Sequence, residues 1–260
     1  MNKEEYIEMR QEFASLIYDF ENFMKNGFLA DCKYNVAFYD SLRKIRDAEM
    51  QVAVISSALK DKKNNVEITE ILKKIEDAKK NYSVETLQTE NKHKYCTQLI
   101  QILSKFDKSA YEASEKHMRD FLIKYHPVVC LNAKKEARDT YEMLKRFYFE
   151  CNHLGFTEYF GTVKEKFEVA PVEEDRYTEA SQVYFKFRNQ ITATIEKMKN
   201  TYPYNKSTIF SDEMTVMAEK DDLEIKSKRL SEALVSARKD FNEKFGFDFD
   251  LTPEETGLEN

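Results

Sequence analysis

His93 and Cys96 stand three residues apart in a stretch of helical periodicity, a spacing at which two side chains share one face and could meet one metal ion. A competent site needs further ligands. The other histidines, His117, His126 and His153, lie in unrelated local settings without an HExxH pattern, so hydrolytic zinc chemistry is not expected. Cys32, Cys96, Cys130 and Cys151 are widely spaced with no Cys-x-x-Cys pair, and read as reduced packing residues rather than a disulfide framework. Glu173-Glu174-Asp175 fits negative charge at a helix amino terminus, not a general acid/base pair. The chain has no GxGxxG, GxxxxGK(S/T) or GxSxG, and its five scattered glycines form no loop that could gather amides around a phosphate. Asp248 and Asp250 have calcium-loop spacing, but Leu251-Thr252-Pro253 supplies neither a third ligand nor the turn glycine. No catalytic residue, metal or cofactor is therefore expected.

Composition sets what these residues can be mounted on. Five glycines and four prolines among 260 residues fall far below the usual share of about 12%, which leaves little material for tight turns and favours long helices. With 34% charged and 42% hydrophobic residues the chain can bury a core and still keep wide solvated faces. Its 41 basic and 47 acidic residues are interspersed, which gives no electrostatic footprint for nucleic acid. The opening MNKEEYIEMRQEF lacks signal-peptide patterning, and no run approaches the roughly 20 apolar residues of a membrane span. A cytoplasmic protein without nucleic-acid or membrane partners is the expectation.

Apolar spacing then places the elements. Tyr6, Met9, Phe13, Leu16, Ile17, Phe20 and Phe23 predict a helix from Glu4 to about Lys25, stopped by Asn26-Gly27. Phe38, Leu42, Ile45, Val52 and Leu59 form a coiled-coil-like seam from about Asp31 to Lys60, interrupted at Glu49 and Ser56. The polar run Asp61 to Asn65 separates it from a helix marked by Val66, Ile68, Ile71, Leu72, Ile75, Ala78 and Tyr82, giving a helical hairpin, and the same face continues, after a restart at Ser83 or as one long helix, through Leu87, Tyr95, Leu99, Ile102, Leu103 and Phe106. Ser109-Ala-Tyr-Glu112 fits a capping box ahead of Met118, Phe121, Leu122 and Tyr125. His126-Pro127 ends that helix, and Asn132 can cap the next, from about Ala133 to Cys151. Asn152 to Gly155 reads as a break before an aromatic helix through Phe156, Phe160 and Phe167. Tyr177, Ala180, Tyr184, Phe187, Ile191, Thr194 and Met198 form an antiparallel-packing seam, and a last helix from Met214 ends at Gly246. The segment Phe247 to Leu251 is expected to fold back on its own domain rather than recruit a partner, because exposed Phe pairs are costly.

The stretch from Ser109 to about Phe160 resembles a degenerate J domain, the module by which DnaJ-like co-chaperones engage Hsp70. The resemblance lies in Arg119-Asp120-Phe121-Leu122-Ile123-Lys124-Tyr125, then His126-Pro127, and a following helix bearing Ala137, Tyr141, Leu144 and Tyr148. It implies that Arg119, Lys124, His126 and Pro127 contact a protein partner and that the second helix braces them. Where the family motif reads His-Pro-Asp, this chain reads His126-Pro127-Val128, which implies binding without stimulation of ATP hydrolysis. The hairpin from about Phe28 to Phe106 also looks like the long helical segments that precede J-like domains in some bacterial proteins.

The expected fold is all-α, with long antiparallel helices in a hairpin or bundle and a short J-like helix-loop-helix segment. Three parts are expected: a hairpin over 1–106, the J-like segment over 107–170, and a helical hairpin with an acidic tail over 171–260. The expected function is that of an intracellular protein-interaction module, a J-like adaptor for an Hsp70-type chaperone. The alternatives are a structural coiled-coil protein and an enzyme with a site dispersed over a helical bundle. Self-association remains open, since an unpaired heptad seam can be satisfied within the chain or by another copy.

Overall fold

The computed structural model describes residues 1–105, 108–126, 135–163 and 172–251, and the regular structure among them is entirely helical. The elements are α1 (Lys3–Lys63), α2 (Ile68–Leu103), α3 (Lys108–Lys124), α4 (Lys135–Phe149), α5 (His153–Val163), α6 (Tyr177–Met198) and α7 (Glu213–Phe245). Short 3-10 turns at Glu174–Arg176, Tyr204–Lys206 and Ile209–Ser211 supplement them. The all-α class is the one that scarce glycine and proline and pervasive helical spacing require. Phe106, Pro127, Val128, Cys130, Asn132, Phe167 and the tail from Thr252 lie outside the described residues.

Proximity groups the chain into two units, each discontinuous in sequence: Met1–Cys32 with Leu99–Ser207, and Lys33–Gln98 with the chain from Thr208 onward. This grouping joins residues distant in sequence, whereas the segments 1–106, 107–170 and 171–260 follow chain order.

In the first unit the early part of α1 packs along α6. Tyr6 stacks on Tyr177 at 4.2 Å between centroids and Phe13 on Tyr184 at 4.6 Å, with Ile17, Ala180 and Ile191 buried beside them. Both stacked pairs ascend together, so α1 and α6 run parallel. The antiparallel expectation for the α6 seam is thereby corrected: a heptad spacing fixes which face is buried, while the long intervening chain lets the helix return in either direction. Helices α3, α4 and α5 build a second cluster from Met118, Phe121, Leu122, Tyr141, Leu144, Tyr148, Phe156 and Val163.

The expected stop at Asn26-Gly27 is also absent, because α1 continues through it. The glycine serves packing instead. A Cβ on Gly27 would lie 2.2 Å from the Tyr204 ring, which stacks on Phe23 at 4.4 Å. Gly155 likewise lies inside α5, not in a break. Asn152 accepts the Gly155 backbone N–H at 2.9 Å and so caps the helix directly after Cys151, whose φ is 55°.

In the second unit α1 and α2 form the expected antiparallel hairpin, turning through Asn65 at φ 57°. Tyr39 stacks on His93 near one end, while Asp61 pairs with Lys74 near the turn. The later part of α1 also meets α7, through Tyr34 with Glu219 and Gln51 with Arg238. Two neighbours widen the buried face. Tyr34, Phe38, Ile45, Ala48 and Ile55 are its innermost residues, whereas Val52 and Leu59 of the expected seam are half-buried. Gly246, at φ 80°, closes α7 in the left-handed conformation that glycine adopts most readily.

Candidate functional site

Three of the four residues implied by the J-domain resemblance can be located, and they fall in different environments. Lys124 is exposed in the last turn of α3, its Nζ 5.1 Å from the Tyr125 ring centroid. Arg119 lies one to two turns earlier with 31% of its side chain exposed, its guanidinium 4.8 Å over the Tyr18 ring and its Nε 3.4 Å from Asp120. His126 is buried, at 7% exposure. Pro127, the fourth, is outside the described residues. The lysine is thus presented to solvent, the arginine partly so, and the imidazole is enclosed.

His126 is held edge-on by Tyr141 of α4 at 5.2 Å and Phe187 of α6 at 5.9 Å, and its Nε2 lies 3.9 Å from Glu21 Oε1 of α1. Burial, with a smaller contribution from the Lys145 charge, pushes its pKa down to about 4. Glu21 is 5% exposed, and its Oε2 has no hydrogen-bond partner. Burial raises its pKa to about 7, opposed by Lys145 and assisted by Glu142. Below about pH 7 a neutral imidazole thus stands beside a protonated carboxyl, which avoids placing an isolated charge in the core. One turn further along α1, Lys25 is buried, its Nζ paired with Glu115 of α3 and 4.4 Å from the Tyr148 ring centroid.

Glu21 and Lys25 were not singled out by sequence reasoning, although a signal existed. Phe13, Ile17, Glu21 and Lys25 follow one another at four-residue steps, so an acid and a base continue the stripe set by two core residues.

A second feature lies on the open side of the α1/α6 pair. A groove of about 470 Å³ is floored by Phe13, Leu16 and Tyr184, with Met9 at one end. Glu12 and Asp19 line its α1 side, and Phe185 and Arg188 its α6 side. Phe185 is 67% exposed. Such a slot between two helices has the shape and apolar floor that receive a third helix.

The remaining sequence candidates take packing or capping roles. The His93 ring stacks on Tyr39 at 3.8 Å and its Nδ1 lies 3.2 Å from Asn35 Oδ1, while Cys32, Cys96 and Cys151 are buried. Asp248 accepts a 2.6 Å hydrogen bond from Asn242. Among the described residues no group of His, Cys, Asp and Glu is arranged to hold a metal, and no helix is long and apolar enough to cross a membrane. Compared with protein families, with curated proteins and with solved structures, the chain gives no match.

Proposed function

We propose that the chain is a cytoplasmic protein-interaction module, not an enzyme, and that it acts by taking up a helix in the α1/α6 groove. The observation carrying this reading is Phe185, an aromatic ring 67% exposed on the lip of an apolar groove. Isolated exposed apolar residues are ordinary; a large ring beside a preformed groove is the arrangement that amphipathic helices exploit. Cross-linking in native cytoplasm, followed by identification of the bound proteins, tests it with wild type and Phe185→Asp side by side. The aspartate variant is expected to keep its circular dichroism spectrum and lose the major cross-linked protein. Equal recovery by both forms overturns the groove as the binding surface.

A second reading, the J-like adaptor, is supported by a separate observation. Ala137, Tyr141, Leu144 and Tyr148, the residues that would brace the contact helix, are all buried on one face of α4, while Lys124 is exposed. In this reading the partner is an Hsp70-type chaperone, bound through Arg119 and Lys124, and His126 acts from within the fold as a positioning residue. Val128 carries no charge where the family has aspartate, so the wild-type chain is expected to leave single-turnover Hsp70 ATP hydrolysis unchanged. Binding abolished by Lys124→Glu would support the adaptor. Marked stimulation of hydrolysis by the wild type would overturn its inactive form.

A further inference from the structure

We infer that the occupant of the α1/α6 groove is the same groove of a second copy of this chain, so that two copies associate about a two-fold axis. The inference rests on the groove reading above and deepens it by naming the partner.

The argument is one of self-complementarity. Glu12 and Asp19 give the α1 lip negative charge, and Arg188 gives the α6 lip positive charge; all three are exposed, with no ion-pair partner among the described residues. The pairs Tyr6–Tyr177 and Phe13–Tyr184 share one offset in sequence, so Arg188 stands level with Ile17, between Glu12 and Asp19 along the helix axis. A two-fold axis running along the groove, parallel to α1 and α6, turns one groove onto the other, exchanges the two lips and keeps the helix direction. Each Arg188 then faces the acidic lip of the other copy, closest to Asp19, and each Phe185, level with Ala14, comes over the floor at Phe13 and Leu16. The same operation covers both exposed rings and pairs both arginines at once, as an isologous interface requires. A helix from an unrelated protein would need an acid, a base and an apolar anchor in matching order; a second copy carries them by construction. Opposed α1/α6 pairs also make a four-helix arrangement, which closes two half-covered pairs.

Sedimentation equilibrium of the full chain over a roughly hundredfold concentration range tests the inference. The weight-average mass is expected to rise from 30.8 kDa toward twice that value. Phe185→Asp and Arg188→Glu should each weaken association roughly tenfold or more, because each places an acid against an apolar floor or an acidic lip. Combining Asp19→Arg with Arg188→Glu should restore it by exchanging the two signs. All substituted positions are exposed, so circular dichroism should show the helical content retained. A wild type that stays at 30.8 kDa throughout, or a dimer indifferent to these substitutions, overturns the inference. A monomeric wild type whose cross-linked protein is nevertheless lost on Phe185→Asp would sink the second copy as occupant while sparing the groove reading. Equal cross-linking by both forms would sink the groove reading itself.

Discussion

Glu21→Gln is expected to leave stability unchanged below about pH 4.5 and to raise it progressively above the wild type, by about 3 kcal/mol beyond pH 7. The sign follows from where the proton resides. The carboxyl titrates near 4.5 when unfolded but near 7 in its buried position, so between those values the folded chain holds a proton that the unfolded chain has released. Folding therefore loses stability as pH rises through that window, and the loss is complete above it. Glutamine keeps the shape and cannot ionise, so it removes the loss. His126 works in the opposite sense: its pKa falls from 6.5 to about 4, so the unfolded chain gains a proton that the folded chain refuses as pH drops. Between about 4.5 and 6.5 the two effects cancel, and the pair contributes an almost level profile. His126→Phe should expose the carboxyl's contribution alone, as a decline in stability from about pH 4.5 to 7. Urea unfolding of the three proteins at a series of pH values measures these differences, with the titration of other groups common to all. A Glu21→Gln curve parallel to the wild type at every pH would show that the carboxyl is not held in a dry site.

The buried pair also marks the boundary of what the sequence could disclose. Helix positions were legible wherever local chemistry decided them: Gly246 ends α7, Tyr125 and His126 follow the end of α3, and the residues expected to face inward on α4 do so. Gly27 was misleading because its neighbour, Tyr204, arrives from a distant part of the chain, and only that ring makes a missing Cβ useful. The J-domain resemblance implied that His126 contacts a partner, whereas its residue type alone read as a surface or packing histidine. Its burial depends on α1, α4 and α6 meeting around it, and periodicity gives the face of each helix without saying which helices share a core. Lys124, in the last turn of α3, is exposed. The groove lay beyond reach for a related reason. Tyr184 and Phe185 are adjacent aromatics, and the heptad spacing tells which one enters the seam but not that the other is left beside an open slot.

The largest loss of stability is expected at the end of α7, where the segment Phe247 to Leu251 was anticipated to fold back on its own domain. It does so within the second unit: Phe249 is 5% exposed and Leu251 fully buried, in a cluster with Ile55, Ala58, Ile71 and Phe241. The Phe249 ring meets Phe241 edge-on at 5.1 Å. Phe247 also touches Phe241, at 5.3 Å, but remains 44% exposed. Two of the three hydrophobic residues therefore complete the core that α1, α2 and α7 share, while the other covers its edge. Truncating a fully buried side chain removes its transfer free energy and leaves a cavity, so Leu251→Ala should cost about 3 kcal/mol and Phe249→Ala about 4. Phe247→Ala should cost about 1 kcal/mol or less, since much of that ring already meets water. Because Phe249 and Leu251 fill one cluster, the double variant should depart from the sum of the single effects. Denaturant unfolding of the full-length variants would measure the order. A Leu251→Ala protein as stable as the wild type would mean that the segment does not occupy this core in solution and is free to engage another surface.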